Sequence, residues 1–366
     1  MSTSIQSRLR HRRLVVLLLG VSALALATSR RRVYLTRKSL TPSAQSAASY
    51  LLLAKDDKSY ISAFGFDVRA FNIIFQKSRH HLPPRSRLKR RPRVLTPMLH
   101  LAIVLYYLTT PQRQKSIALV FGIVPSSVST AIWLGLAALK AMMDQEEAWA
   151  IKWPTADTMR DMAAAVHARE PLLKHVFGFV DGLNLRIYQP GDLDEQNAYY
   201  NGWLGDTYCS QVLVFLPNGE IAWASFNNPG SWHDAKIAAG LYTLLNDPQR
   251  TPASYAILAD SAFPYNKELA GRILSKPKDA IADKEKDGSK HLIWEAIIRQ
   301  RQAAEWGMRA LQGAFVRLDL RLPTHKVKRA LLLSVIFRLH NFRARHVGLN
   351  QIKEVYFPQW QDRSDL

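Results

Sequence analysis

A succession of short apolar segments between residues 176 and 274 limits the fold more than any other feature of the sequence. Two of them are joined by Asn218-Gly219, a dipeptide typical of a two-residue β-hairpin turn. Helical patterns separate and follow the strands, so the sequence predicts a mixed α/β domain in which helices flank a sheet. The predicted strands are Val176–Ile187, Ser210–Pro217, Glu220–Phe226, Tyr255–Ser261 and a short strand near Ile273-Leu274, and the predicted helices run from Trp232 to about Asn246 and from about His291 to Ala314.

Two acidic residues come directly after predicted buried strands. Asp181 follows the apolar run FGFV, and Asp260 follows YAILA. A carboxylate beside buried residues is costly unless it is paired or binds a metal. Each residue alone is more simply the cap of a turn. Adjacent strands, however, could bring both carboxylates to one edge of a sheet, where their oxygens suit hard divalent cations.

Other polar residues near these strands have ordinary structural interpretations. Glu305 lies four residues after Arg301, the spacing of a helical ion pair. His233 and Asp234 stand at a predicted helix start, where Ser231 and Asp234 have the spacing of a capping box. The acidic cluster of Asp192, Asp194 and Glu195 is predicted to be a solvated loop.

The sequence lacks the markers of several enzyme classes. It contains no P-loop, no dinucleotide-binding glycine pattern after a strand, no HExxH and no GxSxG. Its single cysteine, Cys209, excludes an internal disulfide and a cysteine-based zinc site. Histidines and carboxylates are therefore the available metal ligands.

The positive charge of the chain is concentrated in its first third. Residues 1–115 contain 22 Lys and Arg against three acids, a net charge of +19, whereas the other 251 residues carry 28 bases and 26 acids, a net charge of +2. This asymmetry indicates a basic head that meets a polyanion, either nucleic acid or an anionic membrane surface. The densest run, RSRLKRRPR, is either a solvated loop or, as we favour, a nuclear-import signal or a phosphate-contacting arm formed by Arg85, Arg87, Lys89, Arg90, Arg91 and Arg93.

The N-terminal half divides into a basic leader and linker over residues 1–49 and a helical region over residues 50–150. The linker is expected from about Ser39 to Ser49, where the residues are small and polar. In the helical region, a short helix breaks at Gly122, and a longer one begins with Ser126 or Ser127 as its N-cap. This is the outline of a helix-turn-helix, although the apolar girth of the second helix fits a plain packing helix equally well.

An apolar run from Leu14 to Ala27 follows four arginines and has the outline of a secretory signal. The run is shorter than the roughly 20 residues that span a bilayer. It is also followed directly by Arg30, Arg31 and Arg32, and such a cluster opposes translocation. We therefore expect no stable membrane association. Targeting by this leader is the minor alternative, and a helix packed on the protein body is another.

Six blocks in order along the chain carry a family resemblance. They are VFGFVDGLNL, NGWLGDTYCSQVLVF, NNPGSWHDAK, LADSAFP, RQAAEWGMRALQGAF and LHNFRARHVGLNQI, between Val176 and Tyr356. Together they resemble the endonuclease domain of PIF/Harbinger-type DDE transposases and the transposon-derived nucleases related to them. The resemblance implies a domain over residues 170–356 with an RNase H-like fold, a mixed sheet flanked by helices.

The resemblance also implies roles for particular residues. Asp181, Asp260 and Glu305 match the catalytic Asp-Asp-Glu triad of the family, whose carboxylates bind divalent metal, Mg²⁺ or Mn²⁺, for two-metal phosphodiester cleavage. His233 and Asp234 match a recurring PGS-x-HD block, and we expect them to support the metal ligands or to be structural.

These implications define a functional expectation and its rival. The expected protein is a metal-dependent DNA endonuclease of transposase type, located in the nucleus and working with DNA and with a separate DNA-binding partner protein. The alternative is a domesticated DNA-binding protein without catalytic activity.

Overall fold

The computed structural model describes most of the chain. Residues 85–93 of the basic run, and with them the six predicted DNA-contacting side chains, lie outside the described residues. So do residues 23–27 of the apolar leader and residues 276–287 of the charged loop before the last predicted helix. The described residues are 14–22, 35–82, 95–263, 269, 271–275 and 288–357, with only the backbone described at 288–290.

A mixed sheet forms the centre of the C-terminal half, which confirms the predicted α/β class. Its strand order is β4-β3-β1-β5-β6; β1, β3 and β4 pair antiparallel, whereas β5 and β6 run parallel to β1. This order is consistent with an RNase H-like fold. The strands are β1 (Val176–Arg186), β2 (Tyr200–Asn201), β3 (Asp206–Phe215), β4 (Ile221–Pro229), β5 (Ala256–Leu258) and β6 (Ile273–Leu274).

Helices cover the sheet and form most of the described part of the N-terminal region. Short 3₁₀ segments occur at Arg37–Ser39, Ser43–Gln45, Glu147–Trp149 and Val316–Asp319. The α-helices are α1 (residues 14–22), α2 (Ala47–Ala54), α3 (Asp57–Phe64), α4 (Val68–Ser78), α5 (Pro97–Thr109), α6 (Gln114–Phe121), α7 (Pro125–Gln145), α8 (Ala156–Arg169), α9 (Leu193–Tyr199), α10 (Asp234–Ile237), α11 (Ala239–Asn246), α12 (Gly288–Ala314), α13 (Lys326–His346) and α14 (Gln351–Tyr356).

Local sequence explains the best-predicted elements. The hairpin between β3 and β4 turns at Gly219, whose φ of +84° is a conformation that glycine adopts without strain. Long helix α12 packs closely on the sheet, because a Cβ at Gly307 would lie 2.7 Å from the ring of Phe215 in β3. A glycine at this position therefore sets the distance between helix and sheet.

Two local predictions differ from the structure. Asp192 is the N-cap of α9, with its Oδ1 accepting from the backbone N of Glu195 at 2.9 Å, so the acidic cluster begins a helix and is not a loop. The acids of the first turn also face the positive end of the helix dipole. The helix expected from Trp232 begins at Asp234 and is interrupted at Ala238.

The helical region and the sheet domain share one hydrophobic core. Phe66, at the loop before α4, packs on Phe315 and Phe342, with ring centroids 6.5 and 5.9 Å apart. Trp149 stacks on Phe342 with centroids 4.5 Å apart. Because these rings join residues far apart in sequence, the N-terminal helices stabilise the sheet domain directly.

The segment expected to be a linker is packed against the helical region. Its two 3₁₀ turns lead to Ser46, which caps α2 by accepting from the backbone N of Ser49 at 3.3 Å. Ser43 and Ser46 are buried, and a Cβ at Gly122 would lie 3.1 Å from the backbone of Ser43. The small residues of this segment therefore allow close packing, whereas the sequence predicted from them a linker.

Helices α6 and α7 are connected by a short turn that begins at Gly122, whose φ is +63°. The N-cap of α7 is Val124 with Pro125 at the first helical position, in place of the expected serine. Among the described residues, one helix, α7, is long and apolar enough to cross a membrane. Half of its most apolar 18-residue stretch is buried in the protein. Gly135 has no side chain, and this leaves space for Val104 of α5 to pack against α7. Helix α7 therefore serves as a packing helix.

The described part of the apolar leader, residues 14–22, is helical and exposed along its length. The leucine side chains at positions 14, 17, 18 and 19 are each about 60% exposed or more. This helix is therefore not packed on the protein body as one of our alternatives expected.

Candidate active site

The register of the sheet brings Asp181 and Asp260 to neighbouring positions. Asp181 lies within β1, opposite Leu213 of β3, and not at the end of the strand as its sequence suggested. Phe179 of β1 pairs in parallel with Leu258, the last residue of β5. Asp181 lies two residues beyond this pair in β1, and Asp260 lies two residues beyond it, just past the end of β5; the paired strands are about 4.8 Å apart. The expected juxtaposition of the two carboxylates therefore follows from the β1–β5 pairing.

Each of the two carboxylates accepts a local backbone hydrogen bond. Oδ1 of Asp181 accepts from the backbone N of Gly182 at 2.8 Å, and Oδ1 of Asp260 accepts from the backbone N of Ala262 at 2.8 Å. The second bond forms a tight turn directly after β5, which orients the Asp260 side chain. Both carboxylates retain further oxygen lone pairs for other ligands.

Burial raises the pKa of Asp181 to about 6. The backbone N–H of Gly182 acts in the opposite direction by stabilising the carboxylate. The negative charges of Asp260 and Asp234 raise the pKa further, whereas the positive charge of Arg301 lowers it. Asp181 is thus a partly buried acid among other acids, an arrangement that functional sites use to bind cations or move protons.

Asp234 is the third acid of this cluster, although its sequence suggested a helix cap. It is the first residue of α10, His233 is the N-cap, and no side-chain capping bond forms. The carboxylate lies over Gly182, because a Cβ there would be 2.6 Å from Cγ of Asp234. Burial and then the charge of Asp260 raise the pKa of Asp234. The predicted capping box is therefore wrong, and the side chain faces the two other acids.

Tyr242 of α11 borders the acid cluster. Its hydroxyl is buried and has no hydrogen-bond partner among the described residues. Burial, followed by the charge of Asp234, raises its pKa to about 12. The phenol therefore stays protonated beside the carboxylates, and its hydroxyl can donate a hydrogen bond to a ligand.

Glu305 lies on α12 and binds Arg301. Nη2 of Arg301 donates to Oε1 of Glu305 at 3.0 Å, the ion pair that the i,i+4 spacing predicts. The Glu305 side chain is 41% exposed. Arg301 is also the cation that lowers the pKa of Asp181. The guanidinium therefore connects Glu305 electrostatically to the acid cluster.

The chemistry of the cluster fits a hard divalent cation, but the described side chains do not form a complete metal site. No three His, Cys, Asp or Glu side chains within the described ranges are grouped closely enough to hold one ion. Carboxylate oxygens are nevertheless the ligands that Mg²⁺ and Mn²⁺ prefer. A cation between Asp181, Asp234 and Asp260 would also relieve the repulsion that raises the pKa of Asp181.

The sequence anticipates two neighbours of these acids to different extents. Asp234 is expected from its recurring block to support the metal ligands or to be structural, and the glycine directly after Asp181 is the signal for the contact that it makes. Arg301 was noted only as an ion-pair partner of Glu305. His233 lies beside Asp234 with an exposed side chain.

One comparison with known proteins agrees with the position of this site. Residues 180–341 match the family described as DDE superfamily endonuclease. The matched segment contains Asp181, Asp234, Asp260 and Glu305. The match supports the superfamily for this part of the chain and a nuclease of transposase type. No curated protein and no solved structure matches the chain.

Proposed function

We propose that the protein is a metal-dependent DNA endonuclease of the PIF/Harbinger transposase type, with Asp181, Asp260 and Glu305 as its catalytic acids. The observation that carries the proposal is the juxtaposition of Asp181, in β1, and Asp260, just past the end of the paired strand β5, inside the segment that matches DDE endonucleases. The raised pKa of Asp181 supports it, because a buried acid beside two others gains most from a cation.

In this proposal Asp181, Asp260 and Glu305 would hold Mg²⁺ or Mn²⁺, and Glu305 would have to give up its ion pair with Arg301 to do so. Bound in pairs, such ions activate water and stabilise the leaving oxygen of a phosphodiester. Arg301, once released, is a bidentate donor suited to a DNA phosphate. Gly182 leaves room for Asp234, which adds negative charge beside Asp181 and would favour cation binding there.

Plasmid nicking tests the proposal. The wild-type protein should nick supercoiled DNA with Mg²⁺ or Mn²⁺ and not in a chelator, and Asp260→Ala should reduce the rate by at least about 100-fold. Asp194→Ala is the matched control, since Asp194 is an exposed acid in the first turn of α9. The proposal fails if the wild type nicks no faster than Asp260→Ala.

A second candidate is a DNA-binding protein that does not cut. The observation that favours it is the Glu305–Arg301 pair, because a carboxylate held by a guanidinium is not free for a metal. Fluorescence anisotropy with duplex DNA at several salt concentrations separates the candidates. Binding with a steep salt dependence but without nicking supports the second candidate, and weak binding without a salt slope excludes both.

The basic head extends the proposal to location and partners. Its net charge of +19 over residues 1–115 suits nuclear import and contact with DNA phosphates. A separate DNA-binding partner would supply sequence recognition, because a head dominated by Lys and Arg contacts phosphates without reading bases. Deletion of residues 1–32 should leave a nuclear location unchanged, and a change would favour targeting by the apolar leader.

A further inference from the structure

Strand β4 forms one edge of the sheet, and α13 is attached to it at both ends. At the first end, Nδ2 of Asn341 donates to the carbonyl of Ile221 at 2.8 Å, and its Oδ1 accepts from the backbone N of Ile221 at 2.7 Å. At the other end, Nδ2 of Asn227 donates to the carbonyl of Lys326 at 3.1 Å. Between these attachments, among the described residues, the backbone of residues 223–226 has no hydrogen-bond partner outside β3.

This stretch of edge is not protected by charge. The sequence of β4 from Ile221 to Pro229 is IAWASFNNP, and the four side chains of residues 223–226 are all partly exposed. Natural edge strands are ordinarily blunted by charged side chains or bulges, because their unpaired N–H and C=O groups recruit other strands. The pairing with β3 is regular from Trp223 to Ser225 and irregular on either side. The open edge is therefore short, which suits one short peptide strand.

A cavity of about 360 Å³ lies beside the open edge. Its aromatic walls are Trp223 and Phe226 of β4 and Trp153 from the segment before α8. Trp153 is fixed in place, because its Nε1 donates to Oγ1 of Thr251 at 3.0 Å and its ring meets Phe177 edge-on with centroids 5.5 Å apart. The cavity is thus formed before any ligand arrives, which lowers the entropy cost of binding.

The charge at the cavity is positive. Arg250 and Arg338 both line it, and no described acidic side chain does. Arg338 is already paired, with its Nη1 2.6 Å from Oδ1 of Asp144. Arg250 is exposed, and its guanidinium has no ion-pair partner within the described part of the chain. The cavity therefore fits an apolar group that stands next to a carboxylate.

A polypeptide is the ligand that uses all three features together. A small aromatic acid would fill the cavity and reach Arg250, but it would leave the backbone of β4 unpaired. A nucleic acid needs a row of cations, whereas the edge itself is uncharged. An extended peptide supplies backbone groups to the edge, and it places successive side chains on its two sides.

We propose that β4 binds an extended segment of a partner protein in which an acidic residue stands beside a large apolar residue. The segment pairs as an added strand with residues 223–225, its apolar side chain enters the cavity at Trp153, and its carboxylate binds Arg250. Backbone bonds would supply affinity, and the two side chains would supply specificity. The interface goes beyond the proposed function and does not depend on endonuclease activity.

Fluorescence anisotropy with the full chain and a set of fluorescein-labelled octapeptides tests this interface. Each peptide has a threonine background with one leucine or tryptophan next to one glutamate, and the pair is moved through every position. The wild type should bind the best peptide with a Kd of about 100 μM or tighter. Replacing its glutamate with lysine should weaken binding by about five-fold or more. Methylation of alternate backbone nitrogens, which removes the strand donors, should abolish binding.

Charge reversal on the protein tests the contact with the carboxylate. Arg250→Glu should weaken binding of the glutamate peptide by about five-fold or more, and it should bind the lysine peptide more tightly than the wild type does. Arg309→Glu is the matched control, because Arg309 is an exposed arginine on α12 and does not line the cavity. Hydrogen exchange of the β4 amides should slow when the glutamate peptide is bound to the wild type.

Three outcomes would overturn the interface. The first is that no peptide of the set binds with a Kd below about 1 mM. The second is that the methylated peptide binds as well as its parent, and competition by indoleacetate would then identify the cavity as a small-molecule site. The third is equal binding of the glutamate peptide by Arg250→Glu and the wild type. Absence of nicking together with Arg250-dependent peptide binding would refute the endonuclease and not this interface.

Discussion

Arg329 and Asp181 are two buried charges with opposite surroundings. Arg329 has no exposed surface, and Nε donates to Oδ1 of Asn227 at 2.5 Å while Nη1 donates to the carbonyls of Pro323 and Thr324 at 2.9 and 2.8 Å. Asp181 accepts one bond from its neighbour Gly182 and has acids beside it. Three neutral oxygen atoms accept from the cation, whereas the anion has two like charges beside it and is influenced by one cation, Arg301.

This difference in surroundings distinguishes a charged group that stabilises the folded state from one that destabilises it. Neutral oxygen atoms accept from Nε and Nη1 of Arg329 at any pH, and the guanidinium lies over the ring of Tyr199, whereas Nη2 has no hydrogen-bond partner among the described residues. Asp181, in contrast, gains a favourable environment only when a cation or a proton arrives, so its carboxylate opposes folding at neutral pH. Strain of this kind is typical of functional sites, where activity is kept at a cost in stability.

The largest expected effect is at Arg329. Arg329→Met should lower the free energy of unfolding by about 3 to 5 kcal/mol, because three acceptors lose a charged donor and stay buried. Urea unfolding followed by circular dichroism measures the change. Lys326→Met, an exposed substitution in the first turn of the same helix, is the control. A loss of less than about 1 kcal/mol would contradict the assignment of Arg329 as a stabilising group.

The second effect has the opposite sign. The pKa of Asp181 is about 6 in the folded protein and about 3.8 ordinarily, so between these values the native state binds more protons than the unfolded state. The free energy of unfolding should therefore fall as pH rises from 4 to 6. Asp181→Asn should remove this slope and stabilise the metal-free protein at pH 7 by about 1 to 3 kcal/mol.

Urea unfolding at pH 5 and pH 7 in a chelator measures this second prediction. The charged groups that act on Asp181 are Asp260, Asp234 and Arg301, and all three are retained in the variant. Asp194→Asn, which removes an exposed acid, should keep the wild-type slope. Equal slopes in Asp181→Asn and in the wild type would show that the carboxylate is not strained.

A third change tests whether Asp234 belongs to the strained region. Gly182→Ala should cost about 1 to 3 kcal/mol, because the added Cβ overlaps the Asp234 carboxyl group. In an Asp234→Ala background the same substitution should cost less than about 0.5 kcal/mol, since the space is then empty. A double-mutant cycle of unfolding free energies measures the coupling. If the cost is the same in both backgrounds, the two residues are not in contact.

The sequence predicted the elements that carry the acids but not the contact between Asp234 and Gly182. Apolar runs identified β1 and β5, and the i,i+4 spacing identified the Arg301–Glu305 pair, because both signals are local. The capping interpretation of Asp234 was wrong because a tertiary contact with Gly182 outweighs a local bond. Local spacing holds no information about which strand lies beside β1.

Arg329 shows the same limit from the other side. In the sequence KVKRALLL, Arg329 follows two other basic residues, Lys326 and Lys328. No local feature of the sequence marks Arg329 as the buried one of the three. Its acceptor Asn227 has a φ of +63°, at an irregularity in the pairing of β3 and β4. Such a bulge arises from the packing of strand against helix, so it is visible only in three dimensions.

The smallest effect on stability is expected at Arg301, which pairs with Glu305 and also acts on Asp181. The Arg301 and Glu305 side chains are 33% and 41% exposed, and such a pair contributes up to about 1 kcal/mol. Arg301→Gln should therefore change the free energy of unfolding by less than about 1 kcal/mol. It should nevertheless raise the pKa of Asp181 further, because the guanidinium is the cation that lowers it.

Carboxyl ¹³C NMR titration of the metal-free protein measures this last prediction, with unfolding by urea on the same samples. Arg309→Gln is the matched control, because Arg309 lies one turn after Glu305 on α12 and is exposed. An Asp181 midpoint that stays fixed or falls in Arg301→Gln would mean that the guanidinium serves Glu305 alone. A midpoint that rises while stability stays constant separates electrostatic control of the site from support of the fold. Arg329 and Asp181 would then mark two independent uses of buried charge, with Arg301 acting only on the second.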